Sequence, residues 1–226
     1  MRLPSASKLD LFSLCDGPWL LDLPAEPPPA GPAAERGKSI HKHLEMGTVP
    51  GGKGKADVER AMMAEADLPP FTEAQRERVF KWNPWTNAAF DVGPFSEHPR
   101  ETWNDRDRYM YGIADLVAVA GDRLLVSDLK TGSVEWLKMP WDTWQVKWLT
   151  AVVASVRRWE GNAYGAIVSS EAERAWCQEW TREQLENHLH WWHLRVTDMA
   201  RPHRQPHYEI GNCTFCPHRG HNCPVY

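Results

Sequence analysis

Asp115, Asp128 and Lys130 are the residues whose types and spacing could do chemistry together in this sequence. Tyr109 to Val119 and Arg123 to Lys130 each read as a β-strand, and Ala120-Gly121-Asp122 lies between them. Gly-Asp is a two-residue hairpin signal. With Gly121-Asp122 as the turn, Val119 faces Leu124, Val117 faces Val126, and Asp115 faces Asp128. Residues opposed in this way project to one side, with Cβ atoms roughly 4.5–5.5 Å apart. Two carboxylates that close repel unless a cation or a shared proton relieves them. Lys130 stands two residues beyond Asp128 and points to the same face. Two acids and an ammonium on an otherwise apolar face suit a hard cation such as Mg²⁺ or Mn²⁺.

His41 and Gln145 are further candidates. A helix is expected from about Ala33 to Met46, where Gly37, Ile40, His41 and Leu44 follow the spacing of one face. His43 falls on the opposite side with Arg36 and Ser39. An inward histidine is also an ordinary core residue, and spacing leaves both roles open. Gln145 lies in register with Trp141, Trp148, Leu149, Val152 and Val156 on a helix expected from Pro140 to Trp159, with proline at its first position. A buried amide there needs hydrogen-bond partners.

The elements that must position these groups are interleaved helices and strands. A short capped helix is expected over Ser5–Cys15, with Leu9 and Phe12 inward, and a proline-rich connection over Ala25–Pro32. Helices are expected at about Lys55–Asp67 and Thr72–Lys81, and Pro94 to Asp107 has no assignment. Strands are expected at Asn162–Ser169 and Ala175–Trp180. Thr181-Arg182-Glu183-Gln184 is a capping box that opens a helix to about Ala200. The whole reads as one α/β domain with a central mixed β-sheet flanked by helices.

Composition narrows the function classes. The 226 residues are 42% hydrophobic and 25% charged, which argues for a folded chain. No apolar run reaches the roughly 18 residues of a membrane helix, and Met1-Arg2-Leu3-Pro4-Ser5 opens no signal-peptide core, so a cytoplasmic location is expected. Lys plus Arg (26) falls short of Asp plus Glu (30), so nucleic acid would be met by a local patch. Most of the 13 tryptophans are expected to be packing residues. Gly51-Gly52-Lys53-Gly54 lacks the spacing of a phosphate-binding loop, so any helicase would be a separate partner.

Five cysteines complete the inventory. Cys213, Cys216 and Cys223 form a local trio that calls for a fourth ligand, with Cys15 and Cys177 as the choices. Cys177, between Trp176 and Trp180, reads as a small buried thiol. Four thiolates suit a 4Fe–4S cluster. Three with His207, His218 or His221 suit structural zinc, and spacing permits either.

Taken in chain order, Gly37-x-x-x-His41, Gly112-Ile113-Ala114-Asp115, Asp128-Leu129-Lys130-Thr131-Gly132 and Gln145 resemble the PD-(D/E)xK nuclease superfamily, within it the RecB-like exonuclease branch. Ser5-x-Ser7, Phe12-x-x-Cys15 and Cys213-x-x-Cys216-x6-Cys223 resemble its iron–sulfur members: the AddB nuclease domain, exonuclease V and the Cas-type nucleases of CRISPR adaptation. The resemblance implies a single restriction-endonuclease-like domain over 1–226. Its parts would be a cluster-ligand helix and linker (1–32), a nuclease core (33–200) and a cysteine segment (201–226). It implies that His41, Asp115, Asp128 and the Leu129 carbonyl hold Mg²⁺ or Mn²⁺. Lys130 would position or activate the attacking water, and Gln145 would orient the lysine or the substrate. It also implies that Cys15, Cys213, Cys216 and Cys223 hold a 4Fe–4S cluster joining the two termini. The activity implied is metal-dependent DNA exonuclease action in recombination, repair, phage replication or CRISPR spacer acquisition. A catalytically inactive DNA-binding subunit of the same fold, and a zinc-stapled interaction domain, are the alternatives. Many relatives carry tyrosine four residues after the glutamine; here Leu149 stands there, beside Trp148.

Overall fold

A computed structural model describes residues 2–20 and 31–202 of the chain. The Ala25–Pro32 connection before residue 31, and Cys213, Cys216 and Cys223 with the rest of the tail, lie outside the described residues.

The expected hairpin is formed by β3 (Met110–Ala120) and β4 (Arg123–Lys130), with Val117 opposite Val126 and Val119 opposite Leu124. Gly121 has φ +66°, and Asp122 is not among the positive-φ residues. Glycine at the first central position with positive φ is the type II′ turn that matches strand twist.

On the other side of β3 the expectation fails. Thr72–Lys81 is not a helix: β1 (Glu73–Asn83) pairs antiparallel with β3, and β2 (Ala88–Pro94) pairs with β1. Glu-Ala-Gln-Arg-Glu-Arg consists of good helix formers, but pairing along nearly the whole of β3 outweighs a weak intrinsic preference. β5 (Ala163–Ser169) runs parallel to β4, and β6 (Arg174–Trp180) antiparallel to β5, giving a six-stranded mixed sheet in the order β2-β1-β3-β4-β5-β6.

Helices cover both faces. One core layer joins α1 (Leu9–Leu14), α5 (Trp144–Arg157) and α6 (Arg182–Met199) to Phe80, Trp82, Val117, Val126 and Ile167. The other joins α3 (Pro32–Glu45) and α4 (Lys55–Glu65) to Leu116, Leu125, Leu129 and Val168. A four-residue helix, α2 (Gly17–Leu20), follows α1. The capping box of α6 is present, with Thr181 and Gln184 bonding each other's backbone amides. No helix among the described residues is long and apolar enough to cross a membrane.

α5 begins four residues later than expected. Pro140 and Trp141 precede it, and Trp141 is 46% exposed rather than part of the apolar stripe. The reason lies far away in sequence. Asp10 of α1 accepts hydrogen bonds from the Trp144 amide and the Thr143 hydroxyl, both at 2.9 Å, and so sets the first turn. Among the tryptophans, Trp82, Trp148 and Trp192 are fully buried, as packing residues should be, whereas Trp136 is 79% exposed. Trp148, beside the expected tyrosine position, is packed against Gly112 of β3.

Candidate active site and metal centre

Strict alternation would keep Ala114, Leu116 and Ala118 on one face of β3, yet Ala114 joins the α5-side core while Leu116 and Ala118 join the α3–α4 core. The inversion falls at Asp115. Its neighbour across the ladder, between the pairs Arg76–Leu116 and Arg78–Ala114, is Glu77, whose φ is +48°. A non-glycine residue in the left-handed region costs of order 1–3 kcal/mol and persists only where its surroundings hold it. Glu77 and Asp115 both meet the imidazole of His41.

His41 meets them from α3. Gly37, one turn earlier, lies so close to Thr131 that an added Cβ would sit 2.7 Å from the threonine Oγ1. The missing side chain is therefore what lets the helix approach the end of β4. His41 Nδ1 lies 2.8 Å from Glu77 Oε1 and 3.6 Å from Asp115 Oδ1. His43 points elsewhere, to Thr48 Oγ1. Asp115 Oδ2 accepts the Leu129 amide at 2.5 Å, tying β3 to β4 just beyond the ladder pair Leu116–Ser127.

Asp128, 4% exposed, lies in the same cleft with a different set of partners. Its Oδ2 is 2.6 Å from Lys130 Nζ, and its Oδ1 accepts from Gln145 Nε2 at 2.5 Å. Lys130 in turn donates to Gln145 Oε1 at 3.3 Å. The lysine contact to Oδ2 is an ion pair without hydrogen-bond alignment, so that oxygen keeps a lone pair. The cleft has a volume of about 740 Å³, and Lys38, Lys42 and Arg100 line it together with Glu45.

All the expected active-site residues, His41, Asp115, Asp128, Leu129, Lys130 and Gln145, line this cleft. The structure adds Glu77, which the helical reading of Thr72–Lys81 concealed. The imidazole nitrogen and the Glu77 and Asp115 oxygens lie within 4.8 Å of one another, the only such group found among the described residues. One nitrogen and two carboxylates are a hard, oxygen-rich donor set that fits Mn²⁺ or Mg²⁺. Asp128 stands outside that trio. Cys15 is buried at the end of α1, and Cys177, expected to be buried, is exposed on β6, an edge strand that leaves one side uncovered.

Electrostatics follow from the crowding. Burial opposes protonation of His41, but Asp115, Glu77 and Asp128 more than offset it and push its pKa up to about 9. Burial raises Asp115 to about 7, with His41 and the Leu129 amide opposing and the carboxylates of Asp128 and Glu77 adding to the rise. Burial likewise opposes charge on Lys130, and Asp128 outweighs it, so the lysine pKa is raised and it stays an ammonium.

A cation binding the trio must displace the His41 proton and any proton on Asp115. The sign is therefore fixed: with bound protons lost on metal binding, Mn²⁺ affinity should climb as pH rises from 6 toward 9 and level off above it, by up to about tenfold per unit for each proton displaced. Calorimetric titration across that range checks this, and His41→Ala should flatten the climb while His43→Ala leaves it intact. A pH-independent affinity in the wild type would remove His41 from the site.

The sequence matches the PD-(D/E)XK nuclease superfamily over residues 4–223. No curated protein matches it. Among solved structures, the crystal structure of SSO0001 aligns at 14% identity and a TM-score of 0.39, covering 83% of this chain and 68% of that one.

Proposed function

This chain belongs to the PD-(D/E)XK nuclease superfamily, and from that premise we propose that it is a metal-dependent DNA exonuclease of the RecB-like iron–sulfur branch, one nuclease domain over 1–226. The observation that carries the reading is the convergence of two groups in one cleft: the His41–Glu77–Asp115 trio and the Asp128–Lys130–Gln145 chain. A binding-only subunit has no use for such a crowd of buried and half-buried acids, because each charge costs desolvation and repels the others.

His41, Glu77 and Asp115 would hold Mg²⁺ or Mn²⁺, with Asp128 and the Leu129 carbonyl completing the oxygen set. The bound metal supplies a polarised phosphoryl oxygen and an acidified water. Lys130, held as an ammonium by Asp128, offers positive charge to the phosphate rather than serving as a base. Gln145 holds both: its amide NH₂ fixes one Asp128 oxygen and its carbonyl receives the lysine. Lys38, Lys42 and Arg100 would take the flanking phosphates, by charge and without reading sequence.

We assign Cys15, Cys213, Cys216 and Cys223 to a 4Fe–4S cluster, with Cys15 at the buried end of α1 as the fourth ligand. Such a cluster would restrain the N-terminal helix against the tail and add to stability. Cytoplasmic action in recombination, repair, phage replication or CRISPR spacer acquisition fits this activity, with a separate helicase or other nucleic-acid-processing protein as partner.

The test is end-labelled single- and double-stranded DNA incubated with anaerobically purified protein and Mg²⁺, Mn²⁺ or chelator. Shortening from the ends that chelator abolishes is expected, from brown protein holding roughly four irons per chain. Colourless protein with stoichiometric zinc would replace the cluster by a zinc staple. Intact DNA under every metal would leave the inactive subunit as the reading.

A further inference from the structure

α5 lacks a cap of its own. Thr143 occupies its N-cap position without making a side-chain cap bond, and its first turn contains no acidic residue. The four leading amides of a helix need acceptors, and its positive end favours a negative charge. Another element supplies an acceptor for the first of these amides and the negative charge: the Asp10 carboxylate of α1 receives the Trp144 amide on one oxygen and the Thr143 hydroxyl on the other, each at 2.9 Å. Lys138 Nζ, on the loop that leads into α5, lies 3.7 Å from the same group.

The next residue after Trp144 is Gln145, the side chain that joins Asp128 to Lys130. From this adjacency we propose that Asp10 is a positioning residue of the active site, acting through the first turn of α5 on Gln145; the proposal rests on the nuclease reading above. Three features make the arrangement a fixture. Leu9 and Phe12, on either side of Asp10, are fully buried, and Phe12 stacks on Trp192 of α6 with centroids 5.6 Å apart. Ala6, one turn earlier, packs against Gly112 of β3, three residues before Asp115. Asp10 itself is only 28% exposed, so solvent does not compete freely for its oxygens. The N-terminal segment thus reaches Gln145 through the Asp10 carboxylate, and a shift of α1 becomes a shift of Gln145.

Turnover of end-labelled single-stranded DNA at saturating Mn²⁺ tests this, with kcat and KM measured separately. Asp10→Ala should lower kcat roughly 10- to 100-fold, the usual cost of removing a group that orients an active-site ligand, and leave KM unchanged. Asp10→Asn keeps an oxygen for the Trp144 amide and should retain most of the activity. In a Gln145→Ala background, Asp10→Ala should cost nothing further, because the group it positions is already gone. Equal loss in both backgrounds, or a fully active Asp10→Ala, overturns the proposal. If the wild type cleaves no DNA under any metal, the nuclease reading fails by itself, and the Gln145 side-chain amide signals in NMR decide the positional claim. They should move in Asp10→Ala and stay in His43→Ala; unmoved signals overturn it.

Discussion

Lys130→Ala and Asp128→Asn should each reduce Mg²⁺- or Mn²⁺-dependent cleavage by roughly 10²- to 10⁴-fold, the range seen when a group acting in the transition state is lost. Their effects on stability should differ in size. Asp128 is nearly buried and stands in the field of Asp115, whose pKa it raises. Replacing it by the neutral amide removes that repulsion but also takes the counter-ion from Lys130, so the two effects offset and the metal-free protein should hold its melting temperature. Lys130→Ala leaves the Asp128 carboxylate with Gln145 but without its counter-ion. That should cost about 1 kcal/mol, modest because the lysine side chain is 40% exposed and water screens part of the pair. Calorimetry and a DNA cleavage assay on the same preparations give both readings. Cleavage at the wild-type rate by Asp128→Asn would sink the assignment of the site.

A second large effect is expected at Gly112, and it is one of packing. A Cβ built there would lie 2.6 Å from Trp148, 2.7 Å from Ala6 and 2.8 Å from Leu149. None of the three can swing aside, since all are essentially buried. Gly112→Ala should therefore destabilise by about 1–3 kcal/mol, as overpacking does, and Gly112→Val by more. For a chain of this size each kcal/mol is worth about 2–4 °C in Tm. Activity should fall as well, because the same clash pushes α5 and Gln145 off the strand. Gly132 is the control: it follows the Asp128-Leu129-Lys130 run, yet a Cβ there meets nothing within 4 Å, so Gly132→Ala should be nearly neutral. A stable, active Gly112→Val would show that α5 does not depend on this close approach.

The two glycines look alike in sequence, and only the packing separates them. The same division runs through the rest of the chain. The β3–β4 hairpin was legible because its determinants are local: a Gly-Asp turn and apolar pairs within ten residues on either side set the register of Val117 with Val126 and of Val119 with Leu124. The His41 face of α3 and the capping box of α6 were legible for the same reason, periodicity and a four-residue motif. Glu77 was not, because nothing near it in sequence says strand. Its segment is rich in helix formers, and it becomes a strand by pairing with β3, more than thirty residues on. The start of α5 was misread for an equally non-local reason, since its cap comes from Asp10, 134 residues before Trp144. Sequence by itself determined which acids, lysine, histidine and glutamine could act together, because local turns and helix faces aim them. Tertiary structure decided the third member of the His41–Glu77–Asp115 trio and what holds Gln145 in place, because those contacts exist only once distant strands and helices have packed.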